Sequence, residues 1–335
     1  MNPKSQTHLF SHPPVVVGYG SAGGRKEQEG PLGRFFDHTC QDDTFQQSSW
    51  EMAETTMQQL ALDTALKRAN LQTQQLDFLL AGDLLNQCIS SAFAARWAGA
   101  PYLGLYGACS TMGESLAVAS LLLSGGWGEY AAAMTSSHFC SAERQYRTPL
   151  EYGCQRPPTA QWTATAAGAV VLASQGKGPK ITGVTLGKVM DKGIKDPANM
   201  GAAMAPAAYD TLRAHFSDTG RSPSDYDLIL TGDLGQLGWE IVSDFFSRDG
   251  TPLSNYNDCG LLLFHREAQD VHSGGSGCGC SAAVLTTLVL PGLISGQWKR
   301  VLFCPTGALL SPVSTMQGES IPGICHAIVL EGGTT

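Results

Sequence analysis

Cys109 is the residue whose type and position most clearly suggest chemistry. It follows the run LGLYG at 103–107 and precedes the run STMGESLAVASLLL at 110–123, which predict a strand and a buried helix. Unpaired N–H groups at a helix start favour negative charge, so a cysteine there has a lowered pKa and a more nucleophilic thiolate. Small residues around it allow a ligand to approach closely. The pattern predicts a ligand pocket, with a cysteine buried only for packing as the alternative.

Two aspartates occupy matching places in an internal repeat. Residues 76–84 read LDFLLAGDL and residues 226–234 read YDLILTGDL, which aligns Asp83 with Asp233 at an offset of 150. Each run is a short apolar segment that ends in Gly-Asp, which is typical of a buried strand entering a loop. The two carboxylates either cap the helices that follow or line a pocket.

A second match extends the repeat to the cysteine. GACS at 107–110 corresponds to CGCS at 278–281, which aligns Cys109 with Cys280 at an offset of 171. The change of offset requires about 21 extra residues in the second copy. We place them around 247–257, where the chain is polar and rich in turn residues.

Strands alternate with helices in both copies. In the first copy we predict strands at 14–18, 77–81, 103–106, 130–135 and 165–173 and helices at 50–69, 86–97 and 110–124. In the second copy we predict strands at 181–190, 227–231, 259–264, 301–304 and 324–330 and helices at 204–216, 237–247 and 281–295. This alternation implies an α/β fold with mostly parallel sheets covered by helices. A polar stretch at 174–180 separates the copies, so we predict two halves, 1–178 and 179–335.

The duplicated architecture resembles the thiolase superfamily, in which two pseudo-symmetric α/β halves pack as αβαβα layers. The resemblance covers nearly the whole chain and matches Cys109 to the cysteine that thiolases and ketoacyl synthases acylate. A histidine that follows the second-copy strand in the ketoacyl synthases is replaced here by Asp233. His272 lies near the Gly-His-Pro position of thiolases without matching flanks, and Cys304 aligns loosely with their proton-transfer cysteine. Acyl transfer needs such partners, so the resemblance implies a pocket in which Cys109 is a nucleophile equivalent and the chemistry is disabled.

Stretches spread over the chain are similar to a narrower family, stage V sporulation protein AD. They include SWEMAE at 49–54, LLAGDLLNQ at 79–87, GACST at 107–111, AERQYR at 142–147 and GGSGCGCSA at 274–282. The resemblance implies binding of dipicolinic acid (pyridine-2,6-dicarboxylate), with or without calcium, for uptake into the forespore during sporulation and release in germination. It also implies a peripheral place at the inner spore membrane, on the cytoplasmic side of the forespore, beside membrane proteins of the same stage V sporulation complex.

Dipicolinate is a flat dianion, so its carboxylates need guanidinium groups or oriented N–H groups. The segment 138–156 supplies four candidate cations, His138, Arg144, Arg147 and Arg156. The alternative is that these arginines only pair with nearby carboxylates such as Glu143. The loop 274–281 resembles an anion-binding nest at a helix start. The ligand contacts that we expect are Cys109, Ser110, Asp83, His138, Arg144, Arg147, Asp233, Gly275, Ser276 and Cys280.

Composition argues against several other classes of protein. The net charge is −8 at pH 7, so no basic surface for nucleic acid is expected. No run approaches the ~18 to 20 apolar residues that span a bilayer, and 1–12 lacks the apolar core of a signal peptide. Ten cysteines are too sparse for a disulfide scaffold, and the pair Cys278 and Cys280 lacks further ligands at metal-site spacing. We therefore expect no resident metal and no cofactor.

Two other functions remain open from the sequence. The first is an active acyl-transfer enzyme that uses Cys109, which the missing histidine argues against. The second is a structural subunit that docks on a membrane complex without a ligand, through an apolar surface such as 309–313 or the Phe35-Phe36 loop. The thiolase resemblance also implies a homodimer that pairs through a sheet edge.

Overall fold

The computed structural model describes residues 5–147, 151 and 155–333, and helices alternate with strands throughout them. The helices are α1 (Arg25–Gln28), α2 (Trp50–Ala69), α3 (Ile89–Ala98), α4 (Thr111–Ser124), α5 (Phe139–Tyr146), α6 (Met200–Thr219), α7 (Gly235–Arg248), α8 (Cys259–Leu262), α9 (Cys278–Val284), α10 (Leu290–Ile294) and α11 (Pro312–Met316). The strands are β1 (Thr7–Leu9), β2 (Val15–Gly23), β3 (His38–Thr39), β4 (Phe78–Gly82), β5 (Tyr102–Gly104), β6 (Tyr130–Ser137), β7 (Trp162–Thr163), β8 (Ala166–Ala173), β9 (Lys180–Thr185), β10 (Leu228–Thr231), β11 (Tyr256–Asp258), β12 (Gly275–Ser276), β13 (Arg300–Cys304), β14 (Thr306–Ala308), β15 (Gly323–Cys325) and β16 (Ala327–Glu331).

Two sets of five strands share one order. The first set runs β5-β4-β6-β8-β2 and the second runs β11-β10-β13-β16-β9. In each set the first three strands are parallel and the last two pairings are antiparallel. The sets meet where Val15 of β2 pairs with Lys180 of β9. The same order and the same directions occur twice, so the repeat seen in the sequence is also a repeat of topology.

Helices form an outer layer on each set and a layer between them. α2 and α3 pack on the first set around Met57 and Leu62, and α6 and α7 pack on the second set around Met204. α4 and α9 lie in the middle, where Leu116 and Val284 share a core with strands of both sets. The layers are therefore αβαβα, which confirms the predicted thiolase-like class. The predicted boundary between 178 and 179 falls between β8 and β9, and it stays a prediction.

Local signals explain where the best-predicted helix begins and ends. The side chain of Ser49 accepts a hydrogen bond from Met52 N at 3.3 Å, and α2 starts at the next residue. It ends at Asn70, whose φ of 55° lies in the left-handed region that terminates helices. The predicted span 50–69 therefore agrees with the structure. α6 begins four residues earlier than predicted, because Asn199 caps it.

The predicted strand at 259–264 is wrong. The strand at this place is β11, which ends at Asp258, and α8 follows directly. The Asp258 carboxyl accepts from Gly260 N at 3.0 Å and starts the helix. The segment is apolar because Cys259, Leu263 and Phe264 pack into the central core, and a short apolar run does not distinguish a strand from a helix.

We placed the extra residues of the second copy around 247–257, but most of them lie later in the chain. Paired residues of β10 and β11 are 27 positions apart in the sequence, and paired residues of β4 and β5 are 23 positions apart, a difference of four. β11 ends 22 residues before Cys280, whereas β5 ends five residues before Cys109, a difference of 17. The longer connection contains α8 and β12 and is partly buried, so its composition does not mark it as an insertion.

Candidate functional site

Cys109 lies in a tight turn directly before the buried helix α4. The turn Ala108–Ser110 is a single 3₁₀ turn, and Ala108 has a φ of 49°, which is uncommon for a residue with a side chain. Thr111 Oγ1 accepts from Gly107 N at 3.1 Å and donates to Ala108 O at 2.6 Å. β14 packs so closely on this turn that a Cβ at Gly307 would lie 2.3 Å from Gly107 O. These contacts fix the position of the thiol.

The carboxyl of Asp233 lies beside this thiol and is fully buried. Ser276 Oγ and Gly277 N donate to its Oδ2 at 3.1 and 3.0 Å. Thr306 Oγ1 donates to its Oδ1 at 2.9 Å. The thiol of Cys109 lies close enough for the charge of this carboxyl to act on it. The end of β10, the loop before α9 and β14 thus converge on the cysteine turn of the other half.

Electrostatics keep the Cys109 thiol protonated. Burial, and then the negative charge of Asp233, raise the pKa of Cys109 well above its ordinary value. Burial also raises the pKa of Asp233, to about 6, against the lowering effect of its hydrogen bonds. The lowered thiol pKa that we predicted from the helix start is therefore wrong, because desolvation and a neighbouring carboxylate outweigh the helix start. Among the described residues that line the cavity with Cys109, none is a histidine.

Cys109 and a wall of small residues enclose a cavity of about 170 Å³. The apolar part of the lining is formed by Leu84, Ala108, Ala142, Ala160, Pro197, Ala198, Met200, Ala308 and Leu310. The polar part is formed by Tyr106, Glu143, Tyr146, Arg147, Gln161, Thr163 and Ser276. A small, mostly apolar cavity with a few polar groups is the usual form of a small-molecule site.

Two polar pairs stand in this lining. Arg147 forms an ion pair with Glu143 one helical turn earlier, through both Nε and Nη2. Tyr106 and Tyr146 join their hydroxyls at 2.6 Å, and the Tyr146 hydroxyl donates to Leu84 O. Arg147 is the one cation of the lining among the described residues, and a ligand carboxylate must share it with Glu143.

The structure brings only part of the predicted contact set to the cavity. Cys109, Arg147 and Ser276 line it. Ser110, Asp233 and Gly275 lie directly behind the lining. The Ser110 hydroxyl donates to Gly107 O at 2.7 Å, and Gly275 O accepts from Gln161. Cys280 is fully buried in the central core and does not face the cavity.

His138 and Arg144 lie away from the cavity. His138 is buried at the start of α5, where Nδ1 accepts from Cys140 N at 3.2 Å and Nε2 bonds to Asp43 O at 2.9 Å. Arg144 points to the outside of α5 and pairs with Glu51 of α2. Both arginines thus pair with carboxylates, as the alternative predicted, and of the two only Arg147 also lines the cavity.

The two repeated aspartates have different surroundings. Asp83 accepts from Leu85 N at 2.9 Å and from Ser91 N at 2.8 Å, so it holds the turn before α3 and the first turn of that helix. Asp233 makes no such contact to α7. That role belongs to Asp258, which accepts from Leu234 N and Gly235 N. Helix capping thus holds for Asp83, whereas Asp233 belongs to the cysteine site.

The glycine-rich loop 274–281 binds a carboxyl of the protein itself, that of Asp233. Gly277 N donates to Asp233, Gly279 N donates to Ser137 Oγ at 3.2 Å, and Cys280 N donates to Gly277 O. These donors are occupied, so the nest predicted for a ligand carboxylate binds the protein's own carboxyl instead.

The other catalytic-type residues of the sequence lie elsewhere. His272 bonds to Pro157 O at 2.8 Å and to Asp270 at 3.0 Å in a separate surface depression. Cys304 is fully buried in β13, and Arg156 pairs with Asp270. No His, Cys, Asp or Glu cluster suited to a metal occurs within residues 5–147, 151 and 155–333.

Sequence reasoning missed Tyr106, Tyr146, Gln161 and Thr163 as lining residues. Tyr106 lies three residues before Cys109, and Tyr146 stands within AERQYR, so both were close to recognised motifs. Gln161 Nε2 donates to Asp233 O and Gly275 O across two elements, a contact that only the fold creates.

All nine described cysteines carry free thiols. Of the helices that the structure describes, none combines the length and apolar content needed to span a bilayer.

Layered halves with a cysteine turn at their junction define a protein of the thiolase and ketoacyl synthase III fold. Two solved structures share it at low identity: OleA of Xanthomonas campestris with bound cerulenin (TM-score 0.62, 13% identity, 99% of this chain and 100% of that chain) and 3-oxoacyl-[acyl-carrier-protein] synthase III of Aquifex aeolicus (TM-score 0.57, 13%, 95% and 99%). The profile of the stage V sporulation protein AD family matches residues 4–331. Stage V sporulation protein AD of Bacillus subtilis is 49% identical over 327 residues, 97% of this chain and 96% of that protein. The chain belongs to the stage V sporulation protein AD family.

Proposed function

We propose that the cavity at Cys109 binds dipicolinic acid reversibly and without covalent chemistry. The observation that carries the proposal is the Asp233 carboxyl beside the Cys109 thiol, because its negative charge disfavours the thiolate that a covalent step would need. The ligand class is our inference from membership of a sporulation family.

The lining suits a small aromatic acid. Alanines at 108, 142, 160 and 308 leave flat apolar walls on which a pyridine ring can pack. Arg147 can bind a carboxylate through its planar guanidinium. Calcium carried by the ligand would find the Glu143 carboxylate in the same wall.

Calorimetry of the purified chain tests the ligand assignment. Dipicolinate is titrated with and without calcium, and picolinate serves as a matched control with one carboxylate. Saturable binding that prefers the dicarboxylate supports the proposal. If the folded protein binds neither acid and acetyl-CoA instead acylates Cys109, as read by intact mass, the site is an acyl-transfer site and the proposal fails.

We also propose that the protein serves uptake of dipicolinate into the forespore and its release in germination, peripherally at the inner spore membrane beside membrane proteins of the same sporulation complex. The support is the family and the 49% identical relative. In Bacillus subtilis lacking that relative, this chain is expected to restore dipicolinate content to spores. Restoration by a Cys109→Trp variant, which fills the cavity, would favour a docking subunit that needs no ligand.

A homodimer through β5 is the arrangement that we propose for the free protein. Among the described strands β5 pairs only with β4, and Leu103 on it is 43% exposed. Trp97 and Tyr106, which precede and follow β5 in the chain, are exposed as well. Sedimentation should show a dimer that Leu103→Lys dissociates. Trp127→Lys, at an apolar residue exposed elsewhere, should leave the dimer intact. A monomeric wild type contradicts the arrangement.

A further inference from the structure

A chain of hydrogen bonds links two buried carboxyls behind the pocket wall. Gln58 Nε2 donates to Ser91 Oγ at 2.9 Å and to Ser136 Oγ at 2.6 Å. Ser91 Oγ donates to Asp83 Oδ2 at 2.7 Å, and Ser136 Oγ donates to Glu54 Oε1 at 2.8 Å. One amide therefore connects two serines, each of which serves one carboxyl. All five side chains are buried.

Each carboxyl is attached to a segment of the pocket wall. Glu54 Oε2 accepts from Ser141 Oγ at 3.1 Å, and the next residue, Ala142, lines the cavity. Asp83 accepts from Leu85 N, and Leu84 between them lines the cavity too. The same two segments are tied to each other by hydrogen bonds from Gln145 and Tyr146 to Leu84 O. The buried hydrogen-bond network thus holds both segments of this part of the pocket wall.

We propose that Glu54 and Gln58 are positioning residues, which set the geometry of the ligand pocket from the outer helix α2 by fixing α5 and the turn at Leu84. The inference rests on the proposed function for its ligand readout, and its structural readout is independent of any ligand. Neither residue touches the cavity, so each acts through Ser141 or Asp83.

The pair of carboxyls has no counter-ion among the described residues. Neither forms an ion pair, and every donor to them is a hydroxyl or an N–H group. Two ionised carboxylates in such a place are costly, so the pair keeps a proton at neutral pH. Burial, and then the charge of Asp83, raise the pKa of Glu54 to about 8.

Burial disfavours the charged form of the other titratable groups that face the pair. Burial raises the pKa of the Cys88 thiol before α3 and of the Cys278 thiol at the start of α9. Burial lowers the pKa of His138 at the start of α5. The ligand's own carboxylates are ionised throughout, as carboxylates ordinarily titrate near 4. Glu27 also titrates in this range, since burial raises its pKa to about 8, and Thr165 links it to Phe139 at the start of α5. A change between pH 6 and pH 9 is therefore assigned to Glu54 and Asp83 only where Glu54→Gln removes it.

Loss of this proton as pH rises through about 8 puts two charges into the network and loosens α5. Hydrogen exchange of α5 amides, corrected for the intrinsic rate, should be pH-independent from 6 to 7 and faster at 9 in the wild type. Glu54→Gln carries no charge at this position, so the rise of α5 exchange between pH 7 and pH 9 should be much smaller than in the wild type. Gln58→Leu removes both donors and should speed α5 exchange at every pH and weaken dipicolinate binding at least tenfold.

Thr55→Val is the matched control. Thr55 is buried on the same helix and donates to Glu51 O and Ser90 O, outside the network. It should lower the melting temperature without changing α5 exchange or affinity. If Glu54→Gln keeps the wild-type pH profile, or if Thr55→Val loosens α5 as much as Gln58→Leu does, the positioning role is refuted. If no form binds dipicolinate, the proposed function fails, and the exchange data still decide the positioning role.

Discussion

The Asp233 carboxyl lies beside the Cys109 thiol, and three groups from two segments hold that carboxyl in place. A carboxylate beside a buried thiol has the opposite effect to a histidine beside it, because it disfavours the thiolate. The Cys109 thiol therefore lines the cavity in its neutral, protonated form.

Asp233→Asn should make Cys109 more reactive. Removing the negative charge lowers the thiol pKa, and each unit of pKa raises the thiolate fraction about tenfold at a pH well below it. Alkylation by iodoacetamide at pH 8, followed by peptide mass mapping, measures the rate at Cys109. Cys109→Ser identifies the labelled site. An unchanged rate would mean that burial alone keeps the thiol protonated.

Arg147→Gln should weaken dipicolinate binding by roughly ten- to a hundredfold, because a charge-assisted hydrogen bond contributes about 1.5–3 kcal/mol. Arg144→Gln is the matched control, since Arg144 stands one turn earlier on α5 and pairs outside the cavity with Glu51. It should bind as the wild type does. Equal losses in both variants would move the ligand to the outer face of α5.

The repeat was the strongest prediction from the sequence, and particular residues show why. LDFLLAGDL and YDLILTGDL mark β4 and β10, whose apolar side chains are buried between helices on both faces. Such strands read as continuous apolar runs. α2 was also predictable, because Ser49 and Asn70 carry its end signals in their own side chains and backbone.

The site was less predictable, because contacts across elements decide it. Nothing local separates Arg144 from Arg147, which differ only in the direction they leave α5. Asp83 and Asp233 match in sequence, yet only Asp233 meets a cysteine turn from the other half. The segment 259–264 was misread because burial makes strands and short helices equally apolar.

Asp77 and Asp227 should contribute equally and independently to stability. Asp77 Oδ2 accepts from Glu129 N at 2.6 Å and Tyr130 N at 3.0 Å. Asp227 Oδ2 accepts from Lys299 N at 2.6 Å and Arg300 N at 2.9 Å, which is the same contact in the other half. Alanine at either place should reduce the free energy of unfolding by about 1–3 kcal/mol. Urea unfolding of both single variants and the double variant measures it, and a loss in the double variant well above the sum would show coupling between the halves.

His215 should make stability depend on pH on the acid side. Its Nδ1 lies 2.7 Å from Thr185 Oγ1 and its Nε2 lies 2.5 Å from the Tyr226 hydroxyl, inside the packing of α6. Burial lowers the pKa of His215 to about 4. The unfolded chain, with a histidine pKa near 6.5, therefore takes up a proton that the folded chain refuses until pH 4. The stability contributed by neutral His215 is complete above about 6.5 and is lost as pH falls towards 4, by at most roughly 3 kcal/mol.

A difference measurement isolates this effect from the buried carboxyls, which titrate in the opposite sense. Burial raises the pKa of Glu27 to about 8, so its contribution is complete below about 4.5 and is lost as pH rises through 8. The free energy of unfolding is measured for the wild type and His215→Gln at pH 7.5, 6 and 5. The difference in free energy of unfolding between the two proteins should become smaller as pH falls, because the wild type loses stability through His215 and glutamine takes up no proton. His265→Gln, at an exposed histidine, is the control and should give a constant gap. A constant gap for His215→Gln as well would mean that the folded chain already accepts the proton at His215 above pH 5.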